Sequence, residues 1–144
     1  MHVDVLNGVN LDVVGRRNPE LYGGLTIDEL ETRIYDWARE LNVRVRCRQT
    51  NSEGEYVGWI HDAFGDVDGL VVNPGAWSHY SYAIHDALEA VGKPIVEVHL
   101  SNIHKREEWR RHSVIADVVD HRVIGKGPDG YREALVYLNG KVAA

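Results

Sequence analysis

Short apolar runs and longer amphipathic stretches alternate from one end of this chain to the other, and that rhythm leaves few folds open. Brief apolar runs bounded by turn residues read as strands, and the amphipathic stretches between them as the crossover helices that parallel pairing requires. The spacing predicts strands at residues 3–6, 43–48, 69–72, 95–99 and 122–124, and helices at 27–41, 53–64, 79–91, 105–112 and 131–138. Thr26, followed by Glu29, supplies a capping box for the first of these helices. Val43, Val45 and Cys47 alternate with Arg44, Arg46 and Arg48, so the second strand shows one face to solvent, as an edge strand does. The other strands are apolar on both faces and belong inside the sheet. An α/β fold meets both conditions: a flavodoxin-like, five-stranded parallel sheet in the order 2-1-3-4-5, with helices on both faces. No repeat, low-complexity segment or linker divides the chain, so residues 1–144 are expected to form a single domain.

A single cysteine, Cys47, excludes a disulfide framework and any cysteine-based zinc site, and fits a reducing cytoplasm. The amino terminus enters an apolar strand without a basic leader, and no apolar run approaches the roughly 20 residues that span a bilayer; neither export nor membrane insertion is expected. A formal net charge of -6 argues against nucleic acid as the main partner, because phosphate backbones select basic faces. The arginines therefore read as local ligands for small anions.

Polar residues collect at the carboxyl ends of the predicted strands, where such sheets hold their ligands. Asn7 and Asn10 follow the first strand, Gln49 and Asn51 the second, Asn73 the third, and His99, Ser101 and Asn102 the fourth. One such Asn is most simply a turn residue, but four strand ends furnished in this way favour a site. The fourth strand is apolar on both faces and still carries Glu97 before ending in His99. Behind it Arg106 and Arg110 lie four residues apart, so a helix over 105–112 would aim both guanidiniums at one crevice. Imidazole, carboxylate and paired arginines suggest acid–base chemistry on an anionic small molecule.

The connection between the first strand and Thr26 spends about twenty residues, more than compact domains usually leave without structure. Its Leu and Val residues argue against disorder. Gly15, Gly23 and Gly24 suit the hinges of a lid over about 15–24 that carries Arg16, Arg17 and Tyr22. Gly125, Gly127 and Gly130 match a dinucleotide pattern, but too little chain follows for the strand and acidic ribose ligand it needs. His61, His104, His112 and His121 lack metal spacing, and Trp37 and Trp59 read as packing residues. Asn7 and Asn73 stand where a phosphoacceptor receiver needs acids, and no Ser/Thr-rich loop suits flavin. No metal and no cofactor is expected.

Several separated motifs then point the same way. Leu6-Asn7-Gly8-Val9-Asn10-Leu11, Gly15-Arg16-Arg17-Asn18-Pro19-Glu20-Leu21-Tyr22-Gly23, Asn73-Pro74-Gly75-Ala76, His79, Asp86-Ala87, Glu97-Val98-His99-Leu100-Ser101-Asn102, Arg106-Glu107-Glu108 and Gly130-Tyr131 follow one another over nearly the whole length. On these the chain resembles the type II 3-dehydroquinate dehydratases, small flavodoxin-like enzymes of the shikimate and quinate pathways. The resemblance implies a hydro-lyase that removes water from 3-dehydroquinate by trans elimination through an enolate, giving 3-dehydroshikimate without metal or covalent intermediate. It implies Tyr22 as the base, with Arg17 as the adjacent cation that makes a phenol of reference pKa ~10 serviceable near neutrality. Asn10 would hold a water against the enolate oxygen, and His99 would protonate the leaving hydroxyl with Glu97 fixing its tautomer. Asn73, His79 and Arg110 would bind ring hydroxyls, the backbone at Leu100 and Ser101 the carboxylate, and Arg106 would join the closing lid. Asp86 would reach a neighbouring subunit's site within trimers that build a homododecamer.

The chain departs from that pattern at Val9, usually proline, at Asn18, usually glutamate, at Trp77 and Tyr80 around His79, and at His85 before Asp86. Loss of proline is expected to loosen the first turn, and loss of a carboxylate beside Arg17 to alter the lid. Trp77, Tyr80 and Tyr82 are expected to add aromatic bulk near the hydroxyl-binding side. A related lyase acting on another cyclic hydroxy-keto acid is the first rival reading. A non-catalytic small-anion binding module is the second.

Overall fold

The computed structural model describes residues 1–143, built around five parallel strands: β1 (His2–Asn7), β2 (Arg44–Gln49), β3 (Gly69–Asn73), β4 (Ile95–His99) and β5 (His121–Ile124). They stand in the order β2-β1-β3-β4-β5, the flavodoxin-like arrangement expected from the alternation. Five helices accompany them: α1 (Pro19–Tyr22), α2 (Ile27–Glu40), α3 (Glu53–Asp62), α4 (Tyr82–Glu89) and α5 (Asp129–Ala143). The period of two sends alternate strand residues to opposite layers. Val71, Val96 and Val98 pack with Leu30 and Ile34 of α2 and Leu135 of α5, whereas Leu70, Val72 and Ile95 pack with Ile60 of α3 and Ile84 of α4. The capping box forms: Thr26 Oγ1 accepts from the Glu29 N–H at 3.2 Å, and Glu29 Oε1 from the Thr26 N–H at 3.1 Å.

Three expectations need correction. No α-helix spans 105–112; two 3-10 turns, Ile103–Lys105 and Glu108–Arg110, flank an extended Arg106. Good helix formers there lose to tertiary contacts, because Arg106 reaches back to Tyr22 of α1 and its carbonyl accepts from Arg111 Nε. α4 begins at Tyr82 rather than 79, since Ser81 Oγ caps it through the Ile84 N–H, and residues Gly75–His79 form a 3-10 turn. The exposed face of β2 is not simply solvated. Arg46 and Arg48 converge on Asp4, a fully buried carboxylate of β1, with Arg46 Nη2 at 2.8 Å and Arg48 Nη2 at 3.3 Å. A buried carboxylate needs such partners, so this face has a structural task.

The long connection after β1 is ordered. A 3-10 segment, Leu11–Arg16, buries Leu11 and Val14, and α1 then carries Tyr22 inward to 9% exposure. Asn18 Oδ1 accepts from the Glu20 N–H at 3.0 Å, so this side chain caps α1. At Gly23, which ends α1 at a φ of 90°, a Cβ would lie 2.7 Å from Pro128; only glycine lets the segment close against the loop before α5. Among the described residues no helix is long and apolar enough to cross a membrane.

Candidate active site

The site grows from the carboxyl ends of β1, β3 and β4. Asn7 and Asn73 end neighbouring strands in register, and Tyr131 of α5 ties them together. Its hydroxyl donates to Asn7 Oδ1 at 2.6 Å and accepts from Asn73 Nδ2 at 2.9 Å. Beyond β1 the chain turns sharply. A Cβ on Gly8 would lie 2.5 Å from the Pro74 carbonyl, so the turns after β1 and β3 interlock. Val9 packs on the layer beneath and holds the turn that a proline would otherwise stiffen. Asn10 then adopts a left-handed φ of 69°, its N–H donating to Asn51 Oδ1 at 2.9 Å. The rim amides Gln49 and Asn51 thus support Asn10.

A cavity of about 260 Å³ opens above these strand ends. Asn10, Arg17, Tyr22, Asn73, His79 and His99 line it, together with Leu100, Ser101, Arg106 and Arg110. Arg106 and Arg110 reach it from separate turns rather than from one helix face. Tyr22 Oη accepts from Arg17 Nη2 at 2.6 Å and from Arg106 Nη1 at 2.5 Å. Two cationic donors thus converge on one phenol oxygen. Arg106 also donates to Ser101 Oγ at 3.3 Å, so it joins α1 to the end of β4.

Glu97 does not line the cavity; it lies fully buried behind His99. His99 Nε2 stands 2.5 Å from Glu97 Oε2, leaving Nδ1 as the nitrogen available to a ligand. Ser113 Oγ donates to the same Oε2 at 2.7 Å, and Arg122 Nε to Oε1 at 2.9 Å. Burial pulls this carboxyl upward, but the His99 hydrogen bond and charge, Ser113 and Arg122 outweigh it and hold Glu97 below the usual carboxylate range. His79 is set differently. Burial pushes it below the ordinary histidine value, and nearby His99 and Arg110 add to that. With Nδ1 against the His112 carbonyl at 2.7 Å, the neutral ring keeps Nε2 as an acceptor.

Asp86 does not line the cavity of its own chain; its side chain is 78% exposed, with His85 Nδ1 at 2.9 Å, while His85 Nε2 approaches Asp117 at 3.2 Å. Nor do the unusual aromatics crowd the site. Trp77 is buried edge-on against Tyr56 in the core, and Tyr80 and Tyr82 are 60% and 68% exposed. Trp109 does line the cavity, set perpendicular to His79 at 5.4 Å. Ser113 and Arg122 carry no functional signal in the sequence strong enough to single them out, and Tyr131 stands in a motif of the resemblance that gives it no role. Arg122 alone leaves a trace, as an opposite charge in register with Glu97 on the adjacent strand. Among the described residues no group of three His, Cys, Asp or Glu side chains is placed to hold a metal ion.

Comparison with known proteins shows the family to which the chain belongs. The family model described as class II dehydroquinase matches residues 1–139. A 3-dehydroquinate dehydratase of Thermotoga petrophila is 50% identical over 142 residues, covering 99% of this chain and 97% of the relative. One from Pelotomaculum thermopropionicum is 48% identical, covering 94% of each. The crystal structure of the type II dehydroquinase from Propionibacterium acnes superposes with a TM-score of 0.93 at 47% identity, covering 96% of both chains.

Proposed function

We infer, for a chain that belongs to the class II dehydroquinase family, that it is a hydro-lyase converting 3-dehydroquinate to 3-dehydroshikimate. One observation carries the reading of the site: a phenol oxygen held by two guanidiniums lines the same cavity as a carboxylate-backed imidazole. That is a base and an acid for one elimination.

In this reading Tyr22, as phenolate, takes the proton beside the ketone, and Arg17 and Arg106 balance its charge. The electrons pass to the carbonyl oxygen. Asn10 holds a water against that enolate, stabilising charge that appears only as the reaction proceeds. Collapse of the enolate expels the hydroxyl, which leaves as water with a proton from His99 Nδ1. Glu97 keeps the other nitrogen protonated. Asn73 and His79 Nε2 take ring hydroxyls, Arg110 adds a donor from the turn beside Trp109, and the backbone at Leu100 and Ser101 receives the carboxylate. Arg106 both serves the base and closes the lid of about 15–24 over this single catalytic domain.

We further assign the protein to the cytoplasm and to shikimate or quinate metabolism, assembled as trimers into a homododecamer with Asp86 serving a neighbour. Burial pushes the lone Cys47 thiol up to about 12, which suits a packing role. The rival lyase rests on aromatic bulk beside the substrate hydroxyls, and Trp77, Tyr80 and Tyr82 do not supply it. The binding module is disfavoured because base and acid are both present. An ultraviolet assay tests the reading, since the product is a conjugated enone and the substrate is not. Absorbance should rise when 3-dehydroquinate meets the purified protein; a folded protein giving no rise overturns the assignment.

A further inference from the structure

We propose that Arg122, on the strand beside the acid-bearing one, is a positioning residue for the dehydration, gripping Glu97 so that His99 presents its other nitrogen to the leaving hydroxyl. This rests on the reading of His99 as the general acid. Glu97 is fully buried in β4, where an unpartnered carboxylate would be costly. Its two oxygens have different tasks. Oε2 meets the His99 ring at 2.5 Å and Ser113 Oγ at 2.7 Å, whereas Oε1 accepts from Arg122 Nε at 2.9 Å. Glu97 and Arg122 are register partners of β4 and β5, so sheet pairing rather than a loop sets the grip.

Other groups face Glu97 without holding it as cations. Tyr56 of α3 approaches from the layer beneath, and His79 from the turn after β3, with Arg110 beside His79. His79 is kept neutral by burial, which leaves Arg122 as the fixed positive charge bonded to this carboxylate. The guanidinium is incompletely spent: its buried Nη2 has no hydrogen-bond partner. Arg122 therefore holds the carboxylate plane from one side and keeps it ionised. An ionised Glu97 accepts a hydrogen bond from His99 Nε2 and steadies the doubly protonated ring, whose Nδ1 proton is the one given to the leaving hydroxyl.

Arg122→Met, Arg122→Lys and Ser113→Ala in the full chain separate positioning from mere packing. Loss of the charge should lower kcat about tenfold with KM within about twofold, because substrate contacts remain. The acid limb of the kcat/KM profile should move up by about one pH unit, and the Glu97 carboxyl carbon, assigned in 13C spectra with Glu97→Gln, should titrate higher by a similar step. Arg122→Lys should recover most of both, and Ser113→Ala should show a smaller change of the same sign. An unmoved Glu97 midpoint in folded Arg122→Met, or a lysine variant as impaired as methionine, overturns the proposal. Should the methionine variant fail to fold, Arg122→Gln takes its place: a raised Glu97 midpoint supports the grip and an unmoved one overturns it. If the unaltered protein forms no enone, the reading of the reaction fails, while the Glu97 midpoint still judges the grip of Arg122.

Discussion

Tyr22 shows how much one atom is asked to do: its oxygen accepts from Arg17 and Arg106, so removing it strips the base and leaves both guanidiniums without that partner. Tyr22→Phe should lower kcat by about 10²- to 10⁴-fold while KM changes little, since the ring and cavity shape persist. Steady-state kinetics on the enone decide it, and near-normal turnover would remove Tyr22 from the mechanism. His79 gives a pH dependence of definite sign. Its value is depressed by burial, so it is neutral at neutral pH and becomes charged only as pH falls below the ordinary histidine range. Protonation abolishes the Nε2 acceptor and sets a cation near Arg110. KM should therefore rise on acidification, and a KM flat down to the onset of acid unfolding would mean that Nε2 binds no hydroxyl. Tyr22 is legible in the sequence as the phenol of a glycine-bounded loop that carries two arginines, whereas His79 gains a role only through the family resemblance. Ser113 is not legible: it reaches Glu97 from a turn sixteen positions away, and neither periodicity nor motif marks that approach.

Among the elements, apolar periodicity suffices wherever packing and propensity agree. The inner strands β1, β3 and β4 and the capped α2 follow from it, because each buries the faces its pattern declares, whereas β5, expected inside, closes the other edge of the sheet and is largely half-buried. The segment after β4 reads as a helix and is not one, because its local preference is sound and its tertiary partners lie apart from it, on α1 and Ser101. α5 joins fold and site in a way its sequence hides. The Tyr131 hydroxyl is fully buried between Asn7 and Asn73, the end residues of two central strands. Tyr131→Phe deletes the donor to Asn7 Oδ1 and the acceptor for Asn73 Nδ2, leaving buried amides short of partners. That should cost about 1–3 kcal/mol, read as a lower urea midpoint at unchanged m-value. KM should rise as well, because Asn73 loses the contact that aims it. A variant as stable and as tight-binding as the parent would show that water replaces the hydroxyl without loss.

On the scale of the whole molecule, one end of α4 stays open. Tyr80 and Tyr82 are exposed, as is Asp86, which does not line the cavity of its own chain. His85, held between Asp86 and Asp117, binds α4 to the turn at Ala116–Val118. Both carboxylates raise its value, so this tie is strongest at and below the ordinary histidine range and weakens as pH rises through the elevated one. If copies of the chain meet at this face, Asp86 acts on a neighbour's substrate, and its removal weakens binding across the subunit boundary. Sedimentation should then give a closed oligomer, trimer or dodecamer, and Asp86→Ala should raise KM severalfold with kcat nearly kept. Mixed assemblies make the geometry explicit. In a co-assembled mixture of Asp86→Ala and Tyr22→Phe chains, sites with an intact Tyr22 receive Asp86 from the other variant, so part of the activity should return with the parental KM. Local weakening of α4 predicts no such return. A mixture no more active than the sum of its parts, or a fully active monomer in the centrifuge, would confine each site to a single chain.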